Sequence, residues 1–493
     1  MAVFDVLVGH KLRTISFHEG ESLLAVLQRE GFSVSAPCGG KGKCGNCTVT
    51  MLTEEGTRTV QACKTPAAEG CTVVLEESAD DLSWNFTNQQ YSISHGAAGG
   101  LCAAVDLGTT SIAVSVFDLP AGEKLGMCGA WNEQRTYGAD VITRISYTMD
   151  HADGLERLSL SVRRQVKRMI ETLCRDHGRS WDEVQRIFLA GNTTMQHLFA
   201  GLNPESIAAA PFQPISFFTE PRSDKLDGKR VTLSPCVSGY VGGDITAGLA
   251  AVDLDHAEGN HLFLDVGTNG EMALGGKNGF VTCAVACGPA FEGAGISCGM
   301  PAAPGAIHRF TLSEDELSFE VIGGGVAKGI CGSGLLDLTA CLVSLGYISE
   351  NGQLLSESDE GKEGVFPITD MVSLTAKDVR QLQLAKAAVA AGIRVLLEES
   401  NLTCSEIEAV YLSGGFGSRL DPKSAVAVGM LPKELLGKVR PAGNTSLAGA
   451  EAALLSGEER RLLKIQKMCR YLELSSSEAF RTAFVEEMLF PEE

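Results

Sequence analysis

LCAAVDLGTTSIAVSVFDL, residues 101–119, reads as an apolar strand that ends on Asp106, turns through Gly108, Thr109 and Thr110, and returns as a second strand. HLFLDVGTNGEMALGG, residues 261–276, has the same order: strand, Asp265, a turn through Gly267, Thr268 and Asn269, strand. A second pair follows the first. IFLAGNTTM (187–195) and VYLSGGFGS (410–418) are each an apolar strand that runs into a glycine turn. Helical stretches separate the members. One is LERLSLSVRRQVKRMIETLCRDHG (155–178); the other is DVRQLQLAKAAVAAGIRVLLEES (378–400), opened by the capping box Thr375-x-x-Asp378. The chain therefore carries an internal repeat of two α/β halves, with a cleft expected between them.

A nucleotide suits such a cleft. Glycine N–H groups and small hydroxyls at a hairpin turn can surround phosphate oxygens, which assigns Gly108, Thr109, Thr110, Gly267, Thr268 and Asn269 to ATP. Asp106 and Asp265 are the expected catalytic carboxylates, holding Mg²⁺ and orienting the attacking water. Gly414, Gly415 and Gly417 of SGGFG clear side chains from the place of a flat adenine ring. The sequence has no GxxxxGK[ST], so it is not a P-loop protein. GYVGGDITAG (239–248) and NTSLAGAEAALLS (444–456) stand where segments crossing between halves belong.

The other concentrated signal is CGGKGKCGNC, residues 38–47. Cys38, Cys44 and Cys47 are spaced x5 and x2, and Cys63 follows after fifteen further residues. Four thiolates can ligate a [2Fe–2S] cluster, and the glycines let backbone N–H groups approach its sulfurs. The flanks predict two strands (VFDVLV, KLRTISF), a helix over 22–31, a strand at TVTML and a closing strand at CTVVLEE. A structural zinc site is the alternative, though such sites normally use two short cysteine pairs. Cys71 falls outside the pattern and reads as core.

Composition narrows the partners. A net charge of −20 repels phosphate backbones and anionic membranes, so neither nucleic acid nor membrane is an expected partner. The N-terminus lacks the charged-then-apolar order of a signal peptide, and the apolar stretch AKAAVAAGIRVLL is broken by Lys386 and Arg394. A cytoplasmic location is expected. There clustered cysteines bind metal and scattered ones fill cores. The expected domains are 1–78 for the cluster, 79–100 as linker, 101–258 and 259–493 for the two halves.

Two resemblances follow from these motifs. The repeated Asp hairpins and SGGFG resemble the superfamily of acetate and sugar kinases, heat-shock chaperone ATPases and actin. The x5/x2 cysteine loop resembles β-grasp [2Fe–2S] ferredoxins of the adrenodoxin-like branch. The implied fold class is a multidomain α/β chain: a β-grasp [2Fe–2S] ferredoxin domain followed by a duplicated RNase H-like (ASKHA, actin-like) ATPase domain. That order is similar to the reductive activators of corrinoid-dependent methyltransferase systems. NEQRTYGADVITRI (132–145), LAGNTTMQHLF (189–199), CGPAFEGAGISCGMP (287–301) and KGICGSGLLD (328–337) look like stretches of that family.

The resemblance implies transfer of one electron to an inactive Co(II) corrinoid protein, restoring Co(I), with ATP. Plant-type clusters sit near about −400 mV, and each ~59 mV uphill costs one electron about 1.4 kcal/mol. It also implies a low-potential electron donor, a ferredoxin or flavin reductase, and leaves a homodimer to be tested. Some relatives insert a domain between cluster and ATPase, which this chain lacks. A small-molecule kinase with a ferredoxin sensor, or an ATP-coupled donor to another low-potential enzyme, are the alternatives.

Several residues carry two readings. Cys283, Cys287, Cys298 and Cys331 are a second cluster or buried thiols. His197 is a base, a corrinoid contact or structural. Tyr137 and Asp140 line the cleft or cap a helix. Asp244 is a Mg²⁺-side carboxylate or caps TAGLAAV. LSSSEAFRTAFVEEMLF is an amphipathic helix that packs on the ATPase or faces a partner.

Overall fold

The structure is a computed structural model. It describes residues 2–8, 11–30, 32, 34, 36, 40, 42, 47–53, 56–75, 100–219, 224–314, 316–355, 364–417, 419–457 and 459–491. Of the expected linker only Gly100 lies among them. Contacts divide the chain into two compact units, separated in sequence between Leu233 and Ser234.

The first unit opens with strands β1 (Ala2–Val8) and β2 (Lys11–Phe17), helix α1 (Leu23–Arg29), then β3 (Thr48–Thr53), β4 (Gly56–Gln61) and β5 (Thr72–Leu75). The sheet order is β2-β1-β5-β3-β4, with β5 parallel to β1 and the other pairs antiparallel. Alternation puts Phe4 and Val6, Ile15 and Phe17, Val49 and Met51, and Val73 on one face. Leu23, Leu24, Val26 and Leu27 of α1 cover that face. Ser22 starts the helix by accepting the Ala25 N–H at 3.2 Å. This is the β-grasp arrangement. Cys71 lies in its core, as read. Sequence did not announce β4, an edge strand whose residues are largely exposed and do not alternate.

The same unit continues with β6 (Leu101–Leu107), β7 (Ser111–Asp118), β8 (Glu123–Trp131), α2 (Val141–Asp150), α3 (Gly154–Asp176), β9 (Val184–Gly191), α4 (Thr193–Ala200), β10 (Asp224–Leu226) and β11 (Lys229–Leu233). The order is β10-β11-β9-β6-β7-β8. Central β6 pairs antiparallel with β7 and parallel with β9. It is buried over almost its whole length, as a strand covered on both faces must be. Along α3, Leu158, Val162, Val166, Met169 and Leu173 make the buried stripe.

The second unit holds α5 (Gly243–Ala251), β12 (Asn260–Val266), β13 (Asn269–Gly276), β14 (Gly279–Ala286), β15 (Ala306–Ser313), β16 (Glu316–Val321), β17 (Gly329–Ile330), α6 (Gly332–Ser344), β18 (Val365–Pro367), β19 (Ser373–Thr375) and α7 (Ala376–Ser400). It ends with β20 (Ile407–Ser413), α8 (Gly414–Gly417), α9 (Pro422–Ala427), β21 (Val439–Gly443), α10 (Thr445–Ser456), α11 (Glu459–Met468), β22 (Cys469–Tyr471) and α12 (Glu478–Glu486). The main sheet runs β21-β20-β12-β13-β14-β22. Central β12 pairs antiparallel with β13 and parallel with β20, repeating the pattern around β6. The repeat read from sequence is therefore a repeat of topology.

The stretch 234–258, placed in the first half on sequence, makes its contacts within the second unit. The cause is a close helix crossing. A Cβ on Gly449 of α10 would sit 2.0 Å from the Ala247 carbonyl oxygen of α5. Glycine alone lets the two backbones approach that closely.

Candidate functional site

In the first unit Asp106 is the last residue but one of β6 and pairs across the ladder with Ala113 and Ala190. The turn after it is held from behind. Asn132 donates its side-chain N–H to the Gly108 carbonyl at 2.8 Å. Arg144, fully buried, donates to the Thr109 carbonyl at 2.6 Å. Asn192, which caps α4, donates to Thr109 Oγ1 at 2.8 Å. The acceptors of Gly108 and Thr109 are thus occupied by protein donors, which leaves the turn a donor surface suited to an anion. A Cβ on Gly108 would meet the Ser111 carbonyl at 2.7 Å, so the turn cannot carry a side chain there. Thr110 closes the same turn, its carbonyl accepting the Asn132 backbone N–H at 2.9 Å.

The second hairpin is one residue shorter. Leu107 pairs with Ile112 in the first, whereas Val266 pairs with Gly270 in the second. The Gly267 N–H closes this tighter turn on the Asn269 carbonyl at 2.8 Å. The residue facing Asp265 is consequently Glu271, a buried carboxyl, where the first hairpin has alanine. Burial pushes Glu271 well above the usual carboxylate range, and the Asp244 and Asp265 charges push it further. Like charges facing each other across a ladder are unfavourable unless one is protonated. Asp244 sits in the first turn of α5, whose cap is Gly242, and its Oδ1 accepts the Ile245 N–H at 2.9 Å.

Ser413 of neighbouring β20 donates to Asp265 Oδ2 at 3.3 Å and is 2.6 Å from Thr445 Oγ1. The glycine turn lies beside this carboxylate. Gly414 has φ +84°, and a Cβ there would come 2.5 Å from Asp265 Oδ1. A Cβ on Gly415 would meet nothing within 4 Å, while one on Gly417 would make ordinary contact with Leu412. Phe416 between them stacks on Phe291 at 4.4 Å. Thr268 donates its hydroxyl to Glu292 Oε1 at 2.9 Å. Asn132, Arg144, Glu271 and Glu292 were not singled out from sequence. The last three are matched to partners only by the fold.

Of the four expected cluster ligands, Cys38 and Cys44 lie outside the described residues. Cys47 and Cys63 come together, with sulfurs 3.2 Å apart and the Cys63 N–H directed at Cys47 Sγ at 3.5 Å. Neither is in a disulfide, and the spacing is far beyond a disulfide bond. A Cβ on Gly40, at φ +77°, would come 3.2 Å from Leu24 Cδ2 and 4.0 Å from Cys63 Cβ, so Gly40 itself lies tight against α1 and near Cys63. The two described cysteines of the four are therefore brought together, as a shared cluster requires.

His197 is buried, its Nδ1 2.7 Å from the Thr193 carbonyl and its Nε2 accepting the Ser216 N–H at 3.3 Å, which makes it structural. Asp140 caps α2 in a capping box, and Tyr137 packs on Tyr147 at 5.0 Å. Cys283, Cys287 and Cys331 are buried, and burial raises the first two thiols far above their usual range. Among the described residues they form no metal-binding group; the one such group, Asp253, Asp255 and His256, is bridged by Arg461. Helix α12 packs Phe480 and Phe484 onto the core of the second unit.

Three family models match the chain in order: a 2Fe-2S iron-sulfur cluster binding domain over residues 13–77, the RACo middle region over 101–257, and the C-terminal ASKHA domain of RACo over 259–493. The chain is 31% identical to the corrinoid activation enzyme RamQ of Eubacterium limosum, across 78% of its own length and 70% of that protein. The chain belongs to the RACo family. A second member-like relative is the [Co(II) methylated amine-specific corrinoid protein] reductase of Methanosarcina barkeri, 26% identical over 78% of this chain and 76% of that one. The solved structure of a reductive activator for corrinoid, iron-sulfur protein superposes with a TM-score of 0.71 at 30% identity, covering 99% of this chain and 98% of its own. As a RACo-family chain it has the ferredoxin and ASKHA folds described above. Among the described residues no helix is long and apolar enough to cross a membrane.

Proposed function

We propose that this chain is an ATP-dependent reductive activator that returns an inactive Co(II) corrinoid protein to Co(I), one electron at a time. The observation that carries the reading is the likeness to a reductive activator over 99% of the chain, cysteine domain and both hairpins included. On this reading residues 1–78 form the redox domain, 79–100 the linker and 101–493 the two ATPase halves, with 234–258 packing in the second. One-electron carriage is the chemistry that a [2Fe–2S] cluster supplies when held by Cys38, Cys44, Cys47 and Cys63.

The ATPase residues divide the work. The donor turns of Gly108, Thr109 and Thr110 and of Gly267, Thr268 and Asn269 bind phosphate oxygens. Asp106 and Asp265 hold Mg²⁺ and orient the attacking water. Gly414, Gly415 and Gly417 admit the adenine. Glu271 faces Asp265 across the ladder, where burial favours its neutral form. ATP can favour only a docked state with different binding energy, because it cannot act on a distant potential directly. A low-potential ferredoxin or flavin reductase supplies the electron. A cytoplasmic location and a homodimer complete the proposal.

The test is anaerobic. Chemically reduced protein is mixed with a Co(II) corrinoid protein, with and without Mg-ATP, and loss of Co(II) absorbance and appearance of Co(I) are followed. Reduction is expected only with Mg-ATP. Asp106→Ala and Asp265→Ala should abolish ATP hydrolysis and Co(I) formation and leave the visible spectrum of the cluster unchanged. Phosphorylation of a sugar or acid with no cobalt reduction would overturn the reading.

A further inference from the structure

Helix α1 lies between two sets of contacts. At its N-terminal end, Leu23 and Leu24 donate their N–H groups to the Thr65 and Ala62 carbonyls at 2.8 and 3.0 Å. These bonds tie the helix to the segment that carries Cys63. Leu24 also underlies Gly40 of the cysteine loop. Near its C-terminal end, half-buried Gln28 donates its side-chain N–H to the Thr136 carbonyl at 2.5 Å. Thr136 belongs to the ATPase part of the same unit, in the turn Glu133–Thr136 that follows β8.

That turn is rigidly joined to the first phosphate hairpin. Asn132 reaches the Gly108 carbonyl with its amide N–H and accepts the Gln134 N–H at 3.0 Å with its amide oxygen. Arg144 binds the Thr109 carbonyl with one nitrogen and Gln134 Oε1 with another, at 3.3 Å, while its Nε holds the Gly138 carbonyl at 3.0 Å. Gln134 is anchored in turn on the Leu158 carbonyl at 2.9 Å. Asn132, Gln134 and Arg144 are all fully buried. A buried network with its partners satisfied moves as one piece or not at all. This network is the path by which a displacement of the Gly108–Thr109 carbonyls on phosphate binding would reach Thr136.

We propose that the Gln28–Thr136 hydrogen bond is a nucleotide-sensitive dock, through which the state of the first phosphate hairpin controls whether the cysteine domain is held against the ATPase. The proposal rests on the activator reading and adds its coupling element. A single hydrogen bond between a surface amide and a carbonyl exchanges readily for water, so the dock can open and close. A differential contact of this kind is what an allosteric linkage needs. Gln28 is a positioning residue; it touches neither phosphate nor cysteine.

Hydrogen exchange of the full, cluster-loaded chain tests the dock without a corrinoid partner. Exchange is compared with no nucleotide, with Mg-ADP and with Mg²⁺ plus a non-hydrolysable ATP analogue. In the natural protein, residues 23–29 and 133–136 should change their exchange several-fold together with the hairpin 106–111. Gln28→Ala, and Gln28→Glu, which keeps the length but replaces the donor, should lose the response of 23–29. Both should keep the hairpin response, the visible spectrum and basal ATP hydrolysis. A full response of 23–29 in Gln28→Ala overturns the dock. A hairpin response with none at 23–29 in the natural protein overturns the dock and leaves the activator reading standing. No response at either place overturns both.

Discussion

Cys47 and Cys63 sit with their sulfurs in contact, while Cys71, only eight positions further on, turns its thiol to the Ala68 carbonyl inside the core. Cys47→Ala or Cys63→Ala should bleach the [2Fe–2S] visible spectrum, and Cys71→Ala should not; tight zinc in place of iron in anaerobically prepared protein would contradict the assignment. A second prediction concerns Asp337 of α6, whose carboxyl burial raises to about 6. Its Oδ1 has no hydrogen-bond partner. The folded pKa lies above the unfolded one, so the folded state favours the protonated form. Stability from this group is present below about 4 and is lost as pH climbs to about 6. Asp337→Asn should therefore melt higher than the natural protein at pH 7.5, by about 2 °C for each kcal/mol gained, and gain less at pH 5. An equal gain at both values would mean that Asp337 does not titrate in that window. The aspartates and cysteines were legible because each sits in a short local pattern. Glu271 and Arg144 were not. Glu271 matters through a one-residue difference in turn length that only ladder register reveals. Arg144 matters through carbonyls 35 and 6 positions away.

Among the elements, α7 shows how a legible cap can do more than end a helix. Thr375 and Asp378 form the capping box read from sequence. Asp378 is fully buried, and its second oxygen accepts the Ser297 N–H at 2.7 Å and its hydroxyl at 3.1 Å. Thr375→Ala should cost about 1 kcal/mol. Asp378→Ala should cost roughly 2–3 kcal/mol, since it strands buried donors on two segments. Thermal melting that ranks the two variants equally would remove Ser297 from the account. Farther along, α7 fastens the chain's last helix: Gln383 donates to the Met488 carbonyl at 3.1 Å, Lys386 to that of Leu489, and Arg394 pairs with Glu486 at 2.6 Å. Burial lowers the Lys386 ammonium to about 8. The long helices and the Asp hairpins were readable because their apolar period runs over many residues. The β15–β16–β17 sheet was not, because Glu316–Val321 is mostly exposed and shows no clear alternation.

Over the whole molecule the cysteine domain and the ATPase should be separable in activity. Deleting residues 1–78 is expected to leave ATP hydrolysis that a corrinoid protein stimulates, with no cobalt reduction. The isolated residues 1–78 should accept an electron yet remain nearly inert toward the corrinoid. Equal rates for residues 1–78 alone and the full chain with ATP would show that hydrolysis and electron transfer are uncoupled.

The shorter turn of the second hairpin has a consequence for how two copies of one fold can come to differ. Hairpins of equal length would set the same ladder position opposite each aspartate. In both copies the strands, their pairing and the aspartate are kept, but the second turn has one residue fewer between the paired strands. The residue that stands opposite the carboxylate therefore differs: Ala113 against Asp106 in one copy, Glu271 against Asp265 in the other. Unlike surroundings for two like aspartates thus come from a difference in turn length.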